Sequence, residues 1–338
     1  MERTDELVRR MQQQIEREGL LSPGQRVLAA VSGGADSVAL ACGLRLTGRY
    51  DVHLAHVHHG LRQQASADAD FVVKLGAAWE LPVYVERIDT PTLAKKWGVG
   101  TEEAARRGRY QALVAVAEGI GAGAVAVAHH ADDQVETILH RILRGTHLRG
   151  LSGMPVKRPL AGTVMLVRPL LWAHRRDIEA FCRRQGLAWR TDHTNALSDF
   201  TRNFIRNELL PLLRERINVR VDAALLRLSA SAGEAETVLE EMGQELFVRA
   251  RRKRSEREVQ LRLSTLKKVP PLLASVALRA ALVSIAAPQQ ELTQERFNDL
   301  LDVLRGTSLA ADLPGGVRAR RQGQFLRLWR PGGDDAED

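Results

Sequence analysis

Cysteine is nearly absent from these 338 residues: Cys42 and Cys182 stand alone, and no CxxC pair occurs. That excludes a disulfide framework and argues against a zinc knuckle. Aromatic residues are also few, 4% of the chain against 44% hydrophobic residues, so the core must be mostly aliphatic. No uninterrupted apolar run approaches the roughly 20 residues that cross a bilayer. Met1 to Gln14 is highly charged where a signal peptide would be apolar. The expectation is a soluble, cytoplasmic chain with no membrane partner. GxxxxGK[ST] and GxGxxG are missing too, which sets aside Walker and dinucleotide-binding readings. Ser32 lacks the flanking GxSxG spacing of a nucleophile elbow.

What is present begins with charge. Lysine and arginine outnumber the acids by 49 to 41, giving a net charge of +8 and a pI near 10.0. Forty-two of those 49 are arginine, whose planar fork suits phosphate better than a point charge does. Such an excess points to a polyanionic partner, most often nucleic acid. A GC-rich genome inflates arginine without any function, so composition alone leaves both accounts standing.

The length favours two domains. Val27 to Val31 is a short apolar run before Ser-Gly-Gly, and Val38 to Leu46 reads as a helix. Val52 to Val57, Val83 to Ile88 and Ala124 to Ala128 read as strands. Ala65 to Trp79 and Thr101 to Glu118 read as helices between them, and Met165 to Val167 adds an edge strand. This alternation predicts a doubly wound, mostly parallel α/β sheet with helices on both faces. After about Pro211 the character changes. Val221 to Arg252 reads as one long helix or two, closing on the basic run Arg249 to Arg254. Pro270 to Ile285 and Thr293 to Arg305 read as two more helices, the second capped by Thr293 with Glu291 and Glu295 near its positive end. Val317 to Arg330 reads as a hairpin. The expected organisation is an α/β domain over 1–214 and a boundary near 214–220. A smaller, mainly helical domain over 218–330 and an acidic, disordered tail over 331–338 follow.

The strongest local signal is Val31-Ser-Gly-Gly-Ala-Asp-Ser37 between a strand and a helix. Two glycines let a ligand approach the backbone. Ser32 and Ser37 can donate hydroxyl hydrogen bonds, and the helix aims its unpaired N–H groups at the loop. That combination binds phosphate. Asp36 would repel phosphate by itself, so its carboxylate points to Mg²⁺ bridging it to phosphate oxygens. The ordinary alternative is a turn in which Gly33-Gly34 makes the bend and Ser or Asp caps the helix.

Ser-Gly-Gly-x-Asp-Ser after a strand resembles the loop of the PP-loop pyrophosphatases. The resemblance implies that Ser32, Gly33, Gly34, Ala35, Asp36 and Ser37 bind ATP, with Mg²⁺ at Asp36, and that ATP is split between its α and β phosphates. More blocks follow in order. They are His56-Val-His-His-Gly-Leu-Arg62, Glu102 to Tyr110, Ala128-His-His-Ala-Asp-Asp-Gln-Val-Glu-Thr137, Arg144-Gly145 and Gly150 to Met154. Arg168-Pro-Leu-Leu171, Arg176-Asp-Ile178, Asp192-His-Thr-Asn195 and Arg202-Asn-Phe-Ile-Arg206 complete the series. Their order and spacing resemble the tRNA(Ile)-lysidine synthetases over roughly 20–214, and more loosely up to Arg330. That family adenylylates C2 of the wobble cytidine in a CAU-anticodon tRNA(Ile); the ε-amine of free L-lysine then displaces AMP. Longer members carry a further C-terminal domain for which 338 residues leave no room. Discrimination of tRNA would then fall to 218–330, with the basic run Arg249 to Arg254 on its backbone.

Asp133 and Glu136 lie three apart on one helical face at the carboxyl end of a strand. The local alternative has the acids complementing the helix dipole, with Asp132 as its cap. With the resemblance, Asp133 and Glu136 become the lysine-binding pair, catalytic together with Asp36. The resemblance also gives Arg106 or Arg109 a contact with ATP phosphate or the target nucleotide, and Arg202 and Arg206 one with RNA phosphate. Solvated helix faces, with Glu102–Arg106 and Glu103–Arg107 at i,i+4, explain the same residues blandly. His56, His58 and His59 would flank the adenosine, although the family usually has Asn at the place of His58. His129 and His130 have no evident ligand set for a metal. The five tryptophans read as packing residues.

Two rivals remain. A tRNA 2-thiolating enzyme of the same superfamily would need reactive cysteines, and both cysteines here sit among apolar residues. A non-catalytic RNA-binding protein would have no use for Asp36 and Ser37. A homodimer is compatible with all of this.

Overall fold

The computed structural model describes residues 5–58, 65–190, 200–287 and 294–331. The readings on His59 to Arg62, Asp192 to Asn195, Glu291 and Thr293, and the acidic tail lie outside these residues.

The chain divides into two compact units, 1–230 and 231–338. The division falls about ten residues beyond the expected boundary, inside a helix rather than in a linker.

The first unit opens with α1 (Glu6–Arg17), β1 (Arg26–Ala30), α2 (Ala35–Thr47), β2 (Asp51–His58), α3 (Ala65–Trp79) and β3 (Val83–Arg87). Then come α4 (Thr90–Trp97), α5 (Thr101–Gly119), β4 (Ala124–Ala126), α6 (Ala131–Leu143) and α7 (Leu148–Leu151). β5 (Lys157–Ala161), β6 (Val164–Val167), α8 (Arg175–Arg184) and α9 (Phe200–Phe204) follow. A π-helical turn (Ile205–Leu209) leads into α10 (Leu210–Arg216) and α11 (Val221–Ala250). The sheet order is β3-β2-β1-β4-β6-β5, parallel throughout except for β5. The expected edge strand, β6, is therefore one place in from the edge.

β1 reads apolar without alternation because both of its faces are covered: Val27, Leu28 and Ala29 are fully buried. α2 is apolar on nearly every side for the same reason, and Val38, Ala39, Leu40, Ala41 and Leu44 all enter the core. α1 was not anticipated. Its charge hides an i, i+4 stripe in which Leu7, Met11 and Ile15 are buried. Asp5 caps it by accepting from Leu7 N at 2.9 Å.

The second unit takes the end of α11, then β7 (Arg251–Arg254), β8 (Glu258–Arg262), α12 (Leu263–Leu266), α13 (Pro271–Ser284) and α14 (Gln294–Arg305). It closes with β9 (Ala310–Leu313), β10 (Val317–Gln322) and β11 (Phe325–Trp329). The expected hairpin is β10–β11. It sits inside an antiparallel sheet of order β7-β8-β11-β10-β9 that sequence reasoning did not assemble. The basic run Arg251 to Arg254 is an exposed edge strand, not the end of a helix. Leu246, Phe247, Val259, Leu261, Leu278, Phe297, Leu326 and Leu328 form this unit's own core.

Candidate active site

β1 and β4 are neighbours in the sheet, yet α2 leaves one and α6 leaves the other. Strand order reverses between them, which is where open α/β sheets hold ligands. A cavity of about 240 Å³ opens at their carboxyl ends. One wall is the loop Val31 to Ser37, and the opposite wall is Val127, Ala128 and His129. Ala55, Val57 and Leu113 give it an apolar floor, and Arg109 and Tyr110 of α5 close one side.

The loop is held open by its own side chains. Gly33 has φ +97°, a conformation that L side chains rarely adopt. Ser37 is buried; its Oγ donates to Gly34 O at 2.9 Å and accepts from Ser32 N at 3.1 Å. Ser37 therefore shapes the loop, while Ser32 is exposed. The cap position of α2, Gly34, supplies no side-chain acceptor, so the first N–H groups of the helix have no side-chain cap. His56, expected near a ligand, is 5% exposed and braces the loop from below: its Nδ1 lies 2.8 Å from Val31 O, positioned to donate to it. Burial holds its pKa down, so the ring is neutral.

Asp36 faces the cavity with one carboxylate oxygen, Oδ1, buried and, among the described residues, without a hydrogen-bond partner. Its other oxygen is 3.7 Å from His130 Nε2. His130 is 3% exposed and stands among three acids, with Asp132 at 3.6 Å and Asp133 at 3.5 Å. Burial works against its charged form, but the nearby carboxylates of Asp36, Asp133 and Asp132 outweigh it and raise its pKa. This side chain links the phosphate-type loop to the acidic start of α6. Sequence reasoning left it unassigned, because its three partners come from two different elements.

His130 also replaces Asp132 as the cap of α6. It accepts from Asp133 N, and Asp133 Oδ2 accepts from His130 N at 3.1 Å, a reciprocal capping box. Asp132 turns away and accepts from Arg175 N at 2.9 Å, the first residue of α8. It caps a helix distant in sequence rather than its own.

The acid pair read as lysine-binding is already engaged. Glu136 is 2% exposed and takes Arg206 Nε at 2.5 Å and Nη2 at 2.9 Å, with Arg202 Nε at 3.3 Å. Asp133 Oδ1 lies 3.4 Å from Arg206 Nη2. Burial works against the Arg206 charge, but Glu136, Asp133 and Asp36 more than compensate and raise its pKa. Arg202 and Arg206, expected on RNA phosphate, close over Glu136 from α9 and the π-helical turn. The helical spacing that would present them to RNA also lets both reach one buried carboxylate.

Across the cavity the balance is positive. Arg168 is 2% exposed and donates to two neutral acceptors, His129 Nδ1 at 3.2 Å and Pro155 O at 2.7 Å. Burial brings its pKa down to about 10. Burial and the charges of Arg168, Arg109 and Arg106 push His129 well below its usual pKa. It is neutral, with Nδ1 accepting and Nε2 carrying the hydrogen. Arg106, Arg109 and Arg158 each lie about 5.5 Å from the centre of the Tyr110 ring. Burial alone would raise the Tyr110 pKa; Arg109, Arg106, Arg168 and Arg158 outweigh that and lower it. Arg168 and Tyr110, which pattern reasoning did not single out, thus lie beside the expected Arg106 and Arg109.

Cys42 and Cys182 are buried, and burial pushes their thiols up to about 11 and about 12. Both are packing residues. Among the described residues, no group of three or more acids, histidines or cysteines is placed to hold a metal. No helix among them is long and apolar enough to cross a membrane.

Residues 4–213 match the PP-loop domain family. The chain is similar to the tRNA(Ile)-lysidine synthase of Geobacillus kaustophilus, 36% identical over 91% of this chain and 67% of the relative. It is also similar to that of Symbiobacterium thermophilum, 42% identical over 72% of this chain and 51% of the relative. The matched part thus spans between half and two thirds of these relatives' length. Among solved structures, the fold resembles a U34-tRNA thiolase from Methanococcus maripaludis, with TM-score 0.56 and 16% identity over 67% of this chain and 78% of that one. A PP-loop match over most of the first unit, joined to relatives of this identity and coverage, has one meaning: the chain belongs to the PP-loop family and, within it, to the tRNA(Ile)-lysidine synthase family.

Proposed function

We propose that this chain uses ATP to join free L-lysine to C2 of the wobble cytidine in CAU-anticodon tRNA(Ile), forming lysidine and releasing pyrophosphate and AMP. The observation that carries this reading is the pairing, in one cavity, of an open phosphate-type loop with a buried carboxylate oxygen that has no partner, Asp36 Oδ1.

The adenosine lies against Ala55, Val57 and Leu113, and the phosphates against the N–H groups at the start of α2. A lone carboxylate facing bound phosphates fits Mg²⁺, which takes one or two carboxylates together with phosphate oxygens and water. Held at Asp36, it would neutralise charge on the phosphates. Arg106 and Arg109 meet the remaining negative charge of the phosphates or the target nucleotide. The cytosine O2 attacks the α-phosphorus, the bond to the bridging oxygen breaks, and pyrophosphate leaves. The lysine amine, having lost a proton, then attacks C2, and the C2–O bond breaks with AMP as leaving group.

Lysine recognition falls to Asp133 and Glu136, with the ammonium group taking the place of Arg206. Displaced from Glu136, Arg206 would turn to RNA phosphate, so lysine binding and RNA contact are joined by one exchange of partners. The 2-thiolation rival is weaker, because the raised pKa values of Cys42 and Cys182 keep both thiols neutral. The test is mass analysis of a CAU-anticodon tRNA(Ile) incubated with the protein, ATP, Mg²⁺ and lysine. A lysyl-sized adduct on one cytidine is expected. An unmodified tRNA, with no pyrophosphate released, removes the proposal.

A further inference from the structure

Two histidines stand side by side beyond β4, in different electrostatic surroundings. The acids nearby, Asp36, Asp132 and Asp133, gather on His130 at 3.5 to 3.7 Å. His129 lines the cavity instead, together with Arg109 and Tyr110. Its Nδ1 lies 3.2 Å from Arg168 Nε and accepts that group's hydrogen. An arginine can only donate, so the contact leaves no room for a proton on Nδ1. The ring hydrogen must then sit on Nε2. In the other tautomer two N–H groups would oppose one another, and Nε2 would carry a lone pair that repels a phosphate oxygen.

Charge reinforces the choice. Burial disfavours the imidazolium, and Arg168, Arg109, Arg106 and Arg202 add to this from three other segments. The ring is therefore an uncharged donor across the neutral range. Arg168 is itself fixed by its Nη1 on Pro155 O at 2.7 Å and its backbone N on Val156 O at 2.9 Å. A purely structural role, holding the segment ahead of β5, accounts for these two bonds. It does not account for the third, on the ring of a residue that lines the cavity.

We infer that Arg168 is a positioning residue for the proposed reaction, fixing His129 as an Nε2–H donor to an oxygen of the ATP α-phosphate. The inference rests on that reaction and adds two residues to it. The phosphates lie at the start of α2 and the adenosine lies on the apolar floor. The α-phosphate joins the two, and the wall carrying His129 stands opposite the loop. As cytosine O2 attacks the α-phosphorus, the bond to the bridging oxygen breaks and charge on the phosphate oxygens shifts. A donor already set in place needs no rearrangement at that moment. His129 gives up no proton in this step.

The test begins with the wild-type chain. In ¹⁵N-labelled protein the His129 ring is identified by the signals lost in His129→Ala. It should show a protonated Nε2 and a bare Nδ1 between about pH 6 and 8. Adding ATP and Mg²⁺ without tRNA should move the Nε2 resonance. In Arg168→Gln, with folding checked by a melting curve, both tautomers should appear and the ring's pKa should rise towards the ordinary 6.5. The kcat for pyrophosphate release should fall by about tenfold or more, with KM for ATP within about twofold, the split expected of a contact that strengthens in the transition state. His129→Ala should lose at least as much. The double variant should lose no more than His129→Ala, because Arg168 acts through that ring. A wild-type ring protonated at Nδ1, an Nε2 signal indifferent to ATP, or additive losses in the double variant would each overturn the inference. The first two of these decide even where Arg168→Gln fails to fold. A wild type with this tautomer and this ATP response that releases no pyrophosphate removes the reaction, and the hold of Arg168 on His129 remains.

Discussion

In the proposed reaction, Asp36 is the residue on which the chemistry turns. A carboxylate is out of place in a loop built for phosphate, and that discord is readable in the sequence. The structure adds that Oδ1 is buried without a partner. Asp36→Asn keeps the shape and removes the charge, so the fold should persist while pyrophosphate release falls by about 100-fold or more, the scale of losing one preorganised electrostatic contact. A coupled pyrophosphate assay beside a melting curve checks this; an unchanged Mg²⁺-dependent rate would sink the assignment. Gly33 was legible in the same way, since a Gly-Gly step before a helix implies backbone that a side chain would not accept. His130 was not legible. Two adjacent histidines look alike in a sequence, yet one takes a hydrogen bond from Arg168 and the other stands among three acids.

At the scale of elements, caps decide which helices meet. Asp5 ends α1 and also receives Arg184 of α8 through two hydrogen bonds, at 2.9 and 3.0 Å. Partial burial would raise its pKa, but the Arg184 and Leu7 hydrogen bonds more than offset this, and the net shift is below 3.8. A depressed folded pKa contributes stability that is present above the unfolded value and lost as pH falls through the folded one. Asp5→Ala should therefore cost about 1–2 kcal/mol near neutral pH, a cap plus a half-exposed ion pair. The cost should shrink towards zero well below pH 3.8. Denaturant melts of both proteins at pH 7 and at acid pH measure it, and a penalty independent of pH would disprove the linkage. The partner of Asp5 beyond α1 could not be guessed from sequence, because Arg184 lies 179 residues away.

At the scale of the whole molecule, the net charge of +8 is the dominant property. If tRNA is the partner, its affinity should fall at least tenfold between about 50 and 200 mM KCl, because counterions released on binding oppose it. In the proposed reaction ATP sits in the cavity beside Asp36, away from the tRNA backbone, and should respond less to salt. Titrations of both ligands in one KCl series check this, and equal salt sensitivity would contradict it. The two units carry separate cores, one around α2 and β1 and the other around α13 and β11. The composition changes after Pro211, whereas the two units divide between Ala230 and Ser231. A helix about 45 Å long at 1.5 Å per residue crosses that border without a local signal.

Sequence by itself determined whatever depends on neighbours along the chain: the βα alternation, the phosphate-type loop, the buried strands and the basic surplus. Periodicity and turn chemistry act over a few residues, so they survive without coordinates. Only the tertiary structure decided which charges cancel. Glu136 and Asp133 meet Arg206 across about 70 residues, Asp132 caps α8, and Arg168 is buried against His129 and a backbone carbonyl. Coulomb attraction and desolvation depend on distance through space, which no spacing along the chain encodes.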